Sequence, residues 1–145
     1  SGVPANSLTL EISERIVGED LGRLERPLKE LAATGVRLAL DDFGSGSASL
    51  TLLQRLPLSE VKLDRRFIND MLTNRASWKF VRTGIDAAHG LGLEVTAEGV
   101  EDDATAYVLE RLGCDVAQGH YFTGIERSTF PFLARSELDT AAQLN

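Results

Sequence analysis

Short runs of β-branched and apolar residues alternate along this chain with stretches whose apolar positions recur every three or four residues. Residues 8–12, 36–40, 61–63, 94–97 and 115–117 are the runs, and they predict five strands. Leu24, Leu28 and Leu31 form one helical stripe between them. Trp78, Val81, Ile85 and Ala88 form a second; Thr105, Val108, Leu109 and Leu112 form a third at i, i+3, i+4, i+7. Pro27 falls within the first stripe. A mid-helix proline costs roughly 3 kcal/mol, so Pro27 is expected to open the main helix rather than sit inside it. Gly35, Gly90-Leu91-Gly92 and Gly113 follow the stripes as helix C-terminal caps do. His89 is placed in a last turn, where it can serve the terminal carbonyls.

Strands alternating with helices predict one α/β domain over residues 1–145, with a parallel sheet and right-handed crossovers. From periodicity alone, about five such units suit a flavodoxin-like, doubly wound sheet. With 145 residues, 43% of them hydrophobic, the chain can build a real core. No stretch is long and apolar enough for direct membrane insertion, and no signal segment opens the chain. A net charge of −7 argues against a surface that neutralises duplex nucleic acid, although cations can still bridge carboxylates to a small phosphate ligand. The single Cys114 excludes an internal disulfide, fits a reducing cytoplasm and is expected to be a buried structural thiol.

The polar residues fall where parallel α/β folds place chemistry, at the carboxyl ends of strands. Glu11 and Glu14 lie at or just past the first strand's end, and Asp41 and Asp42 follow the second. Lys62 and Asp64 end the third, Glu98 the fourth and Gln118 the fifth. Convergent carboxylates repel: two unit charges about 4 Å apart interact by roughly 4 kcal/mol at an effective dielectric of 20. Cations or raised pKa values must hold them together. A donor set of oxygens alone favours Mg²⁺ or Mn²⁺. An Asp flanked by further carboxylates suits two-metal phosphodiester hydrolysis, with a Lys nearby to stabilise charge. Asp41 and Asp42 could instead cap a following helix, Lys62 could be a surface lysine, and Glu11 and Glu98 solvated strand ends. Asp42-Phe43-Gly44 matches the kinase metal motif without that family's other signatures, and Gly44-Ser45-Gly46-Ser47 lacks a phosphate loop's Lys-Ser/Thr ending.

Five motifs then narrow the reading. Glu11-Ile12-Ser13-Glu14, Asp41-Asp42-Phe43-Gly44-Ser45-Gly46, Lys62-Leu63-Asp64, Glu98-Gly99-Val100-Glu101 and Gln118-Gly119 stand in the order and spacing of EAL domains. Over roughly residues 8–122 the chain resembles the C-terminal part of an EAL-family cyclic di-GMP phosphodiesterase. That resemblance implies a TIM-like (β/α)₈ barrel, displacing the flavodoxin-like fold, and metal-dependent opening of cyclic di-GMP to linear pGpG. By it, Asp41 resembles the carboxylate bridging two metals and Glu11 a ligand of the first. Asp42 and Glu98 resemble direct or water-mediated ligands of the second. Lys62 resembles the group contacting the catalytic water or scissile phosphate, so Lys62, Glu98 and Asp41 are the catalytic candidates. Glu14 is similar to the residue that holds the loop after Asp42 and Gln118 to an amide lining the site. Asp64 and Glu101 join these two as supporting or substrate-side candidates.

By the same resemblance, the family's Glu-Ala-Leu strand and a later metal-binding Asn are expected to precede this chain's first residue. The chain is therefore expected to be an excised piece, weakly active or inactive alone, with open sheet edges at residues 8–12 and 115–117. A homodimer or strand-swapped assembly is the expected result. Ser47 and Ala48 stand where the family has Tyr-Ser, and residues 118–125 lack the family's basic residue and Pro. The alternative function is a non-catalytic EAL module that binds cyclic di-GMP or a protein partner. A phospho-receiver also wants an acidic pair and a Lys, but Lys62 comes only one strand after the pair.

Overall fold

A computed structural model describes residues 2–46 and 50–120, together with the backbone of Arg127–Thr129. The elements run β1 (Thr9–Ser13), α1 (Glu14–Glu19), α2 (Leu21–Ala33), β2 (Arg37–Phe43), α3 (Leu50–Arg55) and β3 (Glu60–Leu63). They continue with α4 (Arg65–Asp70), α5 (Arg75–Gly90), β4 (Glu94–Glu98), α6 (Asp103–Arg111), β5 (Val116–Gln118) and β6 (Arg127–Thr129). Each predicted strand is present, within a few residues of its expected ends. The second is longer than the pattern indicates, because it runs on through Asp41 and Asp42 to Phe43.

The first five strands are parallel and lie side by side in chain order, β1-β2-β3-β4-β5. A doubly wound sheet reverses its strand order at a switch point. No reversal occurs here, so the flavodoxin-like alternative fails and the sheet winds one way, as a barrel wall does.

Register separates the two faces of the sheet, because alternate residues of a strand share a face. Glu11, Ser13, Asp41, Glu60, Lys62, Thr96, Glu98 and Gln118 share one face. Leu38, Leu40, Val61, Leu63, Val95 and Ala97 occupy the other, all fully buried against the helices. On that side Ile68, Val81, Ile85, Ala88 and Leu109 form one core with the middle strands. Val17, Leu28, Leu38, Leu52 and Leu56 form a second under α2. Burial of side chains of this size stabilises the fold by about 1.5–3 kcal/mol each. Side-chain caps fix where helices begin: Asp64 accepts the Arg66 N–H, Asn74 those of Ala76 and Ser77, and Asp102 that of Thr105. Gly35, Gly92 and Gly113 take the left-handed conformation past their helices.

Three expectations are corrected. Pro27 sits inside α2 as its seventh residue. Leu24, Leu28 and Leu31 pack into the second core from both sides of it, and exposed Pro27 faces away from that core. Tertiary burial therefore overrides the local cost. Lys29–Glu25 and Arg26–Glu30 ion pairs, 2.8 and 3.0 Å apart, and the Arg55–Glu25 pair also brace this helix. His89 lies in the last turn of α5 as expected, but its Nε2 pairs with Asp115 Oδ2 at 2.6 Å rather than with a helix carbonyl, and that oxygen also accepts the Val95 N–H at 2.8 Å. The expected open edge at residues 115–117 is occupied, since β6 pairs antiparallel with β5 through Val116–Thr129, Ala117–Ser128 and Gln118–Arg127. Among the described residues β1 pairs with β2 alone, leaving the other edge open.

Candidate metal centre

Asp41 and Asp42 are consecutive in a strand, so regular alternation would send their side chains to opposite faces. β2 avoids this with an irregularity. Its register with β3 slips between Leu40 and Phe43, and Asp42 takes φ 56°, the sole positive φ outside glycine among the described residues. Bulges of this kind re-aim side chains. Both carboxylates thereby reach the polar face while Phe43 returns to the core, and the Asp42 N–H donates to Asp41 Oδ1 at 2.9 Å.

Glu98, at the end of β4, completes the group. Asp41, Asp42 and Glu98 each offer a carboxylate oxygen within 4.8 Å of the others. Beside them Lys62 is nearly buried; its Nζ donates to Glu11 and lies 3.7 Å from Glu98 Oε1. Burial works against the Lys62 charge. The Glu11 hydrogen bond and the charges of Glu11, Glu98 and Glu60 outweigh it, holding the ammonium above the usual lysine range. Burial and then the charge of Asp41 push Glu98 up to about 7, although Lys62 pulls the other way. Asp42 is raised in the same manner, by burial first and then by Asp41 and Asp64. Three close carboxylates against one lysine leave an excess of negative charge. Hard oxygen donors at this spacing fit a divalent cation such as Mg²⁺ or Mn²⁺.

The turn after the Asp pair is held from α1. Glu14, the first residue of that helix and almost wholly buried, accepts the Gly44 N–H at 2.5 Å. Asp64 caps α4 and pairs with Arg66 at 3.0 Å. Gln118 ends β5 in register with Glu98, half-buried. Glu101 is exposed on the segment after β4, outside the carboxylate group. Glu11 points at Lys62 and is likewise outside that group. Ser47, Ala48 and residues 121–125 lie outside the described residues.

Sequence reading passed over Glu60. It is buried on the polar face two residues before Lys62, and it accepts a hydrogen bond from the Thr96 hydroxyl. Strand alternation from Lys62 was the available signal. Phe67 and Phe80, beside the Asp42 turn, were also missed.

Together the one-way parallel sheet and the acidic group at its strand ends define an α/β domain with a candidate divalent-metal site at the carboxyl ends of its strands. The EAL domain model matches residues 1–124, and the chain belongs to that family. Its structural neighbours are EAL barrels of the TIM type, so the sheet is part of such a barrel. The bifunctional diguanylate cyclase/cyclic di-GMP phosphodiesterase MucR of Pseudomonas aeruginosa is 40% identical over 112 residues, which cover 77% of this chain and 16% of MucR. A MucR phosphodiesterase structure in complex with c-di-GMP superposes with a TM-score of 0.80 at 37% identity, covering 83% of this chain and 49% of that one. The manganese and c-di-GMP complex of Klebsiella pneumoniae BlrP1 gives 0.78 at 30% identity, covering 83% of this chain and 31% of BlrP1. The chain thus spans a sixth to a half of these relatives.

Proposed function

We propose that this chain carries most of the active site of a cyclic di-GMP phosphodiesterase, which opens the cyclic dinucleotide to linear pGpG. The convergence of Asp41, Asp42 and Glu98 beside a buried, charged Lys62 carries this reading. Asp41, Asp42 and Glu98 would hold Mg²⁺ or Mn²⁺, and Glu11 and Asp41 are the residues that would hold a second ion. Such ions, when bound, lower the pKa of a water and neutralise phosphoryl oxygens. Lys62, charged at neutral pH, stabilises the negative charge that grows on the phosphate as water adds to phosphorus and one P–O bond of the ring breaks. Glu14 keeps the Asp42 turn in place, Asp64 and Gln118 flank the site, and Glu101, exposed on the segment after β4, is the substrate-side candidate. The related MucR and BlrP1 structures hold c-di-GMP, and BlrP1 has been seen with manganese and with calcium, which supports the substrate and a divalent cofactor. A protein using this intracellular messenger works in the cytoplasm, where a lone Cys114 stays reduced.

The test is conversion of cyclic di-GMP to pGpG by the complete protein containing this chain. Turnover should require Mn²⁺ or Mg²⁺, and Asp41→Asn or Lys62→Met should lower it by roughly 10²-fold or more. Metal-independent turnover, or an active Asp41→Asn protein, would overturn the assignment. A second reading, a module that binds cyclic di-GMP or a protein partner without hydrolysis, draws on the pairing of Glu11 with Lys62, which takes Glu11 out of the carboxylate group. Tight binding of cyclic di-GMP with no turnover in either metal would establish it.

A further inference from the structure

We infer that Phe80 of α5, stacked on Phe67 of α4, is a positioning residue that holds the Asp42-Phe43-Gly44 turn in its metal-binding shape. This rests on the metal-site reading above and names what supports the site from below.

The turn carries two left-handed residues two positions apart, Asp42 at φ 56° and Gly44 at φ 103°. A non-glycine residue held there is strained by the order of 1–3 kcal/mol and persists only when its surroundings fix it. On one side the fixing group is Glu14, which accepts the Gly44 N–H. On the other side are two aromatic rings. A Cβ built on Gly44 would lie 2.5 Å from Phe67 Cε2 and 2.6 Å from Phe80 Cζ, so the rings press directly on the backbone. Phe67 and Phe80 stack with centroids 4.1 Å apart, and Phe80 lies 5.7 Å from Phe43. The Ser45 N–H donating to the Asp42 carbonyl at 2.9 Å closes the turn between these supports.

Glu14 alone fixes one atom of the turn. The rings deny the backbone the space into which Asp42 would relax toward an ordinary strand conformation, which would turn its carboxylate away from Asp41 and Glu98. None of these aromatic atoms touches a metal ligand's carboxylate in the contacts described, so their effect reaches the site through backbone geometry.

The experiment compares Phe80→Leu with Ile85→Val, a change at a buried core residue five positions further along the same helix. Two readouts are taken on the folded chain: metal-free amide exchange at Gly44 and Ser45, and Mn²⁺ affinity by electron paramagnetic resonance. Phe80→Leu should speed exchange at Gly44 and Ser45 by roughly tenfold while Ile85→Val leaves both rates unchanged after correction for global stability. It should also weaken Mn²⁺ binding by about tenfold relative to Ile85→Val. Unchanged exchange in Phe80→Leu overturns the positioning role, whatever Mn²⁺ does. Absence of Mn²⁺ binding in the unsubstituted chain, with accelerated exchange in Phe80→Leu, upholds the positioning role and overturns the metal reading.

Discussion

Glu98 couples the site to pH. Its carboxyl, raised to about 7 chiefly by burial and by Asp41, must lose its proton before it can bind a cation. Mn²⁺ affinity should therefore rise from pH 6 to pH 8 and level off above, which calorimetry at fixed ionic strength can follow. The metal-free fold responds oppositely. The folded state holds this proton more tightly than the unfolded chain does, so stability is highest below the ordinary carboxylate value of 4.5 and falls as pH rises toward about 7. Asp42, shifted upward too, adds to the same trend. Thermal melts between pH 4.5 and 8 should show the loss, with Mn²⁺ restoring stability at the upper end; no dependence across that window would contradict the Glu98 environment. Cys114 offers a contrasting case. Burial pushes its thiol up to about 12, so the native chain at pH 8 should resist an aromatic disulfide reagent that reacts at once after unfolding.

At the scale of elements, strands and charged strand ends were legible in the sequence because alternation and polar punctuation are local signals. Asp41, Asp42, Lys62 and Glu98 stood out for that reason. The conformation of Asp42 was not legible, since a bulge is a relation between two strands and nothing within β2 declares it. Pro27 shows the reverse failure. Local propensity spoke against it, and burial of Leu28 with its neighbours decided otherwise. Pro27→Ala should restore a backbone donor within exposed α2 and stabilise the chain by on the order of 1–3 kcal/mol, read as a higher melting temperature. The true partner of His89 was hidden because Asp115 lies 26 residues away in sequence.

For the whole molecule, the open flank of β1 has the largest consequence. Leu8 and Leu10 are 50% and 41% exposed there, and β1 contains no Pro or Lys to discourage pairing. In a full barrel such a flank meets another strand, whereas no described residue of this chain pairs with it. The isolated chain should thus associate through β1 at micromolar concentration. Light scattering should report species heavier than a monomer, and Leu10→Lys should shift them toward monomer; a strictly monomeric chain with slow exchange in β1 would refute this. The same preparation should gain several degrees of melting temperature at Mn²⁺ concentrations about 100-fold above its dissociation constant, a gain of roughly 2.7 kcal/mol. Asp41→Ala and Asp42→Ala should abolish that gain.

The kink in β2 also sets a reading frame. Because Asp42 is the extra residue that lets Asp41 and Phe43 face opposite ways, side-chain chemistry and chain length are separate constraints at this point. Asp42→Asn preserves the spacing and should leave a folded chain with a poorer ligand. Deleting Asp42 restores plain alternation instead. Phe43 then follows Asp41 directly and keeps both its core phase and its place opposite Leu63, while the site loses one of its three carboxylates. One missing residue should thus leave the core in phase while removing a carboxylate and the left-handed turn that presents it.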